Sequence, residues 1–363
     1  MFHMNKKMAV SLMIGLAISG VAMYFSFRNI PFSDLVMYLK TIEYLWIIPT
    51  TLLILLSYMA RAVRWRIIVG PLAEIGFWEA FNLTMTGFML NCILPARIGE
   101  IVRPAAIKKK YGVPFTSAFA TVVVERIFDM IFLIILMTVC LLTVDISPEI
   151  KFSYKTYTIN KATLEALASG MVKICVVFIA VIISVCFEKS RSYISRVIHF
   201  LPKMAGLAGA GISENVRKYI SNPIDNILQN IASGFQAIKK VYQMLMCLFL
   251  SFIVWLLLAL SYFAFAKGCP GIDLSLFEIS AVMIIISFVI ALPSAPGFWG
   301  IWEAGSIFAV TIFGVKMEYA AGYSLANHAL QIFPVIIVGI FSALSIGFGA
   351  KLLEEVEVLA EEV

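Results

Sequence analysis

Long apolar blocks, separated by short charged stretches, set the pattern of this chain. Met8 to Phe27 carries no charge, and neither do Tyr44 to Ala60, Val241 to Ala266 or Ile279 to Trp302. A helix of about 20 apolar residues, rising ~1.5 Å per residue, crosses a hydrocarbon layer of ~30 Å. The blocks predict spans at 8–27, 43–61, 113–142, 168–187, 241–266 and 323–349. The expected fold class is all-α: a polytopic membrane protein with about six full transmembrane helices.

Two further apolar stretches are interrupted. The stretch 77–110 breaks at Asn91-Cys92-Ile93-Leu94-Pro95-Ala96-Arg97-Ile98-Gly99-Glu100. The stretch 276–314 breaks at Pro293-Ser294-Ala295-Pro296-Gly297-Phe298-Trp299-Gly300-Ile301-Trp302-Glu303. Proline removes a backbone donor and glycine weakens a helix, so each stretch predicts two short helices around an irregular tip. We expect two re-entrant broken hairpins, since irregular backbone at membrane depth survives only where protein buries it or water reaches it. The tips share a spacing, Pro95-x-x-x-Gly99-Glu100 against Pro296-x-x-x-Gly300-x-x-Glu303, with Gly297 also at the second tip. Paired interruptions in the two halves point to an inverted repeat with a transport site between.

Composition excludes a soluble domain. The chain is 61% hydrophobic and 14% charged, with a mean hydropathy of +0.95. Lys6 and Lys7 precede the first block in the manner of a signal peptide, but Arg28 and Asn29 follow it without a small-residue cleavage site, so it reads as a retained helix. Basic residues set the orientation. With both interrupted stretches re-entrant, nineteen lysines and arginines fall on the side of the termini, 61–112 and 188–240, against seven on the other. This predicts a cytoplasmic (inner) membrane protein, N-in and C-in. One transmembrane domain is expected over 1–350, with a cytoplasmic amphipathic region about 188–240 and an acidic tail over 351–363. The six cysteines contain no C-x-x-C pair and the three histidines are far apart, so no metal site is expected. Nor does any feature suggest a cofactor or nucleic acid as a partner.

Charge inside the membrane is the strongest functional signal. Glu125, Arg126 and Asp129 stand in the third predicted span. Glu125 and Asp129 are i,i+4 on one face, and Arg126 and Asp129 can pair at i,i+3. Each charge at bilayer centre costs at least ~2.5–3.5 kcal/mol on insertion scales, so the three should face protein. The first break adds Asn91, Arg97, Glu100 and Arg103. The planar fork of Arg97 suits a phosphate, and half-helix N-termini at the tips would favour an anion. Glu100 and Glu303 are candidates to orient arginines or carry a coupling proton. Arg103 also reads as a positive-inside residue. Arg61 and Arg64 are candidates to collect headgroups, whereas Trp65 and Arg66 read as interfacial anchors.

These pieces resemble the flippase-like family of bacterial and archaeal membrane proteins that includes the transmembrane half of lysylphosphatidylglycerol synthase, also called the multiple peptide resistance factor. The resemblance is carried by Arg61-Ala62-Val63-Arg64-Trp65, Asn91-x-x-Leu94-Pro95-Ala96-Arg97-Ile98-Gly99-Glu100-x-x-Arg103, Val124-Glu125-Arg126-x-x-Asp129 and Pro293-Ser294-x-Pro296-Gly297-x-x-Gly300-x-x-Glu303. It implies movement of a phospholipid or polyprenyl-linked lipid between leaflets. The chain departs from the pattern at His328, where many relatives carry arginine. It also ends soon after Lys351, so lysyl transfer by this chain alone is not expected.

Two other functions compete. One is a membrane-embedded glycosyl- or phospho-transferase acting on a polyprenyl phosphate, against which stands the lack of a D-x-D motif. The other is a non-catalytic partner of a separate lipid-modifying enzyme. No nucleotide-binding loop is present to support direct drive by ATP.

Overall fold

A computed structural model describes residues 6–94, 97–143, 188–206, 210–222, 241–292 and 294–347, with 224–225 and short pieces of 152–180. Helices α1 (Lys6–Phe27) and α2 (Phe32–Thr41) open the chain. They meet at a bend of 81°. Four helices follow: α3 (Ile47–Val69), α4 (Phe77–Ile93), α5 (Gly99–Tyr111) and α6 (Phe115–Thr143). Beyond a short antiparallel hairpin, Phe152–Tyr154 with Tyr157–Ile159, come α7 (Glu188–Ala205) and α8 (Ala210–Val216). The chain closes with α9 (Val241–Lys267), α10 (Leu276–Val289), α11 (Ile301–Ile312) and α12 (Met317–Ser345).

The order long, short, break, short, long occurs twice, as α3 to α6 and α9 to α12. Packing follows the same exchange. α3 lies against α9, α4 against α12 as α10 against α6, and α3 against α12 as α9 against α6. These helix pairs of one unit on the other thus have their counterparts; α4 also packs on the second tip, Pro296–Phe298. α1 packs on α11 and α2 on α12, outside this scheme.

Both predicted breaks form. α4 packs back on α5, and α10 on α11. Arms of 17 and 13 residues in the first hairpin, and 14 and 12 in the second, reach only about 18–26 Å at the α-helical rise. The first arms cross closely at glycine: a Cβ on Gly99 would meet the Gly87 carbonyl and Asn91 Oδ1. The second tip is held against α1, since a Cβ on Gly300 would meet the Ser19 carbonyl. Arg97 and Phe298, each two residues past the tip proline, have φ of 54° and 61°. That left-handed backbone costs an L-residue roughly 1–2 kcal/mol, so both tips are held by their surroundings.

Three helices are long and apolar enough to cross a membrane, 44–69, 241–267 and 317–345, and the bent pair in α1–α2 would make a fourth. α6 has the length, 29 residues, and carries the three charges. The predicted span 168–187 and tail 351–363 fall mainly or wholly outside the described residues, as do Pro95 and Pro293. The second predicted span continues past residue 61 to Val69 because its arginines and tryptophan turn inward. In the 188–240 region, Ser195 and His199 of α7 both reach Asp225, and Ser221 bonds the Ile198 carbonyl. α7 exposes Tyr193, Val197, Phe200 and Met204 at helical spacing. The rest of that region, 226–240, lies outside the described residues.

Candidate functional site

The charges of α6 meet partners from three other helices. Arg64 of α3 places Nη1 2.7 Å from Asp129 Oδ1 and 2.7 Å from Ser251 Oγ of α9. Its Nη2 stands 3.4 Å from Glu125 Oε1. Arg103 of α5 donates to Glu125 Oε2 at 2.6 Å. Arg61 approaches Asp129 Oδ2 at 3.5 Å. Arg126 lies 3.4 Å from Glu125, 3.5 Å from Asp129 and 3.8 Å from Glu100. Helical spacing puts Glu125 and Asp129 on one face of α6, and α3 presents Arg61 and Arg64 to it one turn apart. Aromatic rings line the assembly: Trp65 lies under the Arg103 guanidinium, and Phe88 faces both Arg61 and Arg126.

Four guanidiniums thus face three carboxylates, leaving one positive charge over. Arg64 and Glu125 have no exposed side-chain surface and Arg103 has 2%, whereas Arg126 is 32% and Glu100 24% exposed. The cluster therefore opens at the Arg126–Glu100 edge, beside the first hairpin. Arg126 Nε itself is buried and finds no hydrogen-bond acceptor among the described residues. Charge-assisted pairs in a low-dielectric interior are worth having only when hydrogen-bonded on all sides, and among the described residues the Nε of deep Arg64 lacks an acceptor as the Nε of Arg126 does.

Several expected roles change in this light. Trp65 is fully buried and donates to Thr121 Oγ1 at 3.1 Å, so it is no interfacial anchor. Arg64, Arg103 and Arg61 are buried. Three of the nineteen residues counted for orientation are thus internal, which narrows that margin without reversing it. Arg66 bonds the Ile75 carbonyl and fixes the α3–α4 turn. Asn91 faces Gly99 at the hairpin crossing, and its Oδ1 has no hydrogen-bond partner among the described residues. Arg97 is exposed; its Nη2 donates to the Ile290 carbonyl at the end of α10, and its guanidinium lies 5.9 Å from the Phe298 ring. It bridges the two tips.

Glu303 belongs to a different place from the arginine cluster. Its Oε2 accepts from the Gly300 amide at 2.7 Å, and its Oε1 sits 2.5 Å from His328 Nδ1. His328 Nε2 meets the Gly297 carbonyl at 2.9 Å, with Trp299 and Trp302 against the imidazole. Sequence reading left His328 without a partner and missed Ser251 and Thr121. A signal for His328 was present. Glu125, Arg126 and Asp129 are the eleventh, twelfth and fifteenth residues of 29-residue α6; Asn327, His328 and Gln331 hold those positions in 29-residue α12. Gln331 bonds Ser261 of α9 at 3.2 Å, as Asp129 pairs with arginines of α3. The second unit carries an almost neutral copy of the first unit's cluster.

Among the described residues no group of histidine, cysteine or carboxylate side chains is arranged to hold a metal ion.

Comparison with known proteins agrees with this picture. Two UPF0104 membrane proteins of Methanothermobacter thermautotrophicus are 25% identical over 296 residues (78% of this chain, 79% of theirs) and 21% identical over 286 residues (77% and 78%). The glycosyltransferase AglD of Haloferax volcanii is 28% identical over 129 residues, 34% of this chain. The chain matches only 20% of that protein's length. No solved structure matches. The family model for the lysylphosphatidylglycerol synthase TM region matches residues 12–339, and the chain is a multi-pass integral membrane protein belonging to that family.

Proposed function

We propose that the chain moves a phosphate-bearing lipid between leaflets. The headgroup enters at the open edge of the arginine cluster, on Arg126, Glu100 and Arg97, while the acyl chains stay in the bilayer. The observation that carries this reading is the buried cluster with one positive charge in surplus, most exposed at Arg126 and Glu100. An anionic phosphate supplies the missing charge. Arg97 keeps free donors on its fork after bonding Ile290, and bidentate arginine contacts suit a phosphate. Arg61, Arg64, Arg103, Glu125 and Asp129 act as positioning residues that hold Arg126 at the edge.

The reading includes a topology. α3, α6, α9 and α12 cross the bilayer with α1 and the segment 168–187, while the two hairpins enter without crossing. A single span between the units inverts one relative to the other, so the hairpins enter from opposite faces and their tips meet at Arg97. Alternating access in inverted repeats uses this arrangement. The basic excess puts both termini on the cytoplasmic side.

Reconstitution tests the reading. Vesicles of phosphatidylglycerol and phosphatidylethanolamine, carrying a fluorescent phosphatidylglycerol analogue, report its appearance in the opposite leaflet. Wild type should exceed Arg97→Lys and Glu100→Gln at equal incorporation. Equal rates for all three would overturn the assignment of the edge. The match to a glycosyltransferase supports a second reading, transfer of a sugar or phosphate onto a polyprenyl phosphate. Product formation by the purified chain, without translocation, would favour it. Copurification with a lipid synthase in the absence of either activity would favour a partner role.

A further inference from the structure

Where the first unit pairs Arg126 with Glu100, the second pairs His328 with Glu303. A fixed charge is replaced by a titratable one. The hydrogen bonds around the pair determine what it holds. The Gly297 carbonyl only accepts, so His328 Nε2, 2.9 Å away, carries a hydrogen. Glu303 Oε2 already accepts from the Gly300 amide. The remaining atoms, Nδ1 and Oε1, lie 2.5 Å apart. One proton belongs between them. Without it, a ring lone pair and a carboxylate oxygen would repel at that separation.

We propose that His328 and Glu303 form a proton-binding site, and that its proton holds the second hairpin tip in place. The imidazole is bonded to the tip at Gly297 and the carboxylate at Gly300, on either side of Phe298. Phe298, between those two glycines, has left-handed backbone with φ of 61°. Such backbone persists only when surrounding contacts hold it. Loss of the proton turns the central contact from attractive to repulsive and pushes Gly297 and Gly300 apart. A proton arriving from either side restores the closed tip.

The surroundings favour a single exchangeable proton over a permanent ion pair. Both side chains are fully buried. Their neighbours on α12, Asn327 and Gln331, are neutral, unlike the carboxylates at the matching positions of α6. Tyr262 of α9 stacks on Trp302, with Tyr58 and Arg61 of α3 behind it. α4 brings the Cys92 carbonyl to Gly297 and α1 the Ser19 carbonyl to Gly300; Tyr38 of α2 packs on Gly322 of α12, and Val289 of α10 on Gly305 of α11. Arg97 adds a fixed positive charge on the far side of Phe298. Among the described residues no salt bridge joins the pair to the arginine cluster. The proposal gives the translocase reading its coupling ion, and it rests on that reading only for the transport consequence.

Two measurements on the full chain test it. In nanodiscs, tryptophan emission is followed as the pH is varied. Contact with Trp299 and Trp302 makes the indoles report the proton. Wild type should show a one-proton transition, with the ratio of states changing tenfold per pH unit. His328→Gln and Glu303→Gln should lose it. His328→Arg, which recreates the pairing of the first unit, should stay folded and also lose it. In the vesicle assay, an imposed pH gradient should change the wild-type rate for the fluorescent phosphatidylglycerol analogue several-fold and leave His328→Arg unresponsive. No transition in wild type, or one that survives in His328→Arg, overturns the proton site. Translocation that ignores the gradient despite a transition overturns the coupling and leaves the translocase standing. A transition without any translocation supports the proton site and removes the translocase reading.

Discussion

Removing the charge of Glu125 should be among the most damaging single changes in this protein. Its carboxylate has no exposed surface and lies within 3.4 Å of Arg64 and Arg126 and 2.6 Å of Arg103. Glu125→Gln keeps the shape but raises the surplus from one positive charge to two, and turns an amide donor toward guanidiniums that also donate. Breaking a buried pair by neutralising one partner costs about 3–5 kcal/mol, because the other charge stays buried. That is a large share of a typical ~5–15 kcal/mol stability. Reversible unfolding in mixed micelles, titrated with SDS, would measure it. The decisive comparison is the double variant Arg103→Met, Glu125→Gln. Methionine removes the orphaned guanidinium and fills its volume beside Trp65, so the double variant should regain at least half of the loss. Strict additivity, or a cost below about 1 kcal/mol for Glu125→Gln alone, would refute the view of the cluster as a closed electrostatic unit.

Arg64→Ala should destabilise more than Arg126→Ala, by at least ~1–2 kcal/mol in the same assay, since only Arg64 is fully enclosed; the reverse order would contradict the burial pattern. Arg126→Ala should instead lower vesicle binding of the phosphatidylglycerol analogue. Gly99→Ala should cost about 1–3 kcal/mol through the clash with the Gly87 carbonyl, whereas Gly20→Ala, with nothing within 4 Å of the new Cβ, should be neutral; their thermal midpoints in detergent give the comparison. Gln331→Asp should destabilise by several kcal/mol, because α9 offers Ser261 where α3 offers arginines to Asp129. Unchanged SDS unfolding of Gln331→Asp would show that the second unit tolerates charge as the first does.

The sequence alone determined the membrane class, the two breaks and the charged face of α6. These are local properties: uninterrupted apolar runs, proline and glycine within four residues, and i,i+4 spacing of Glu125 and Asp129. It also held the repeated spacing of Glu125-Arg126-x-x-Asp129 in Asn327-His328-x-x-Gln331, which shows its meaning only once both helices have their ends. Tertiary structure decided which charges meet. Nothing local distinguishes an arginine that ends a span at the membrane surface from one that turns inward, so Arg61, Arg64 and Trp65 read as surface residues until α3 is packed against α6 and α9. Glu303 likewise read as one more carboxylate near the arginines until α11 and α12 gave it His328. The reason is energetic: inside a membrane an ionic group must find its partner within a few ångströms, and packing of helices far apart in the chain determines which partner lies that close.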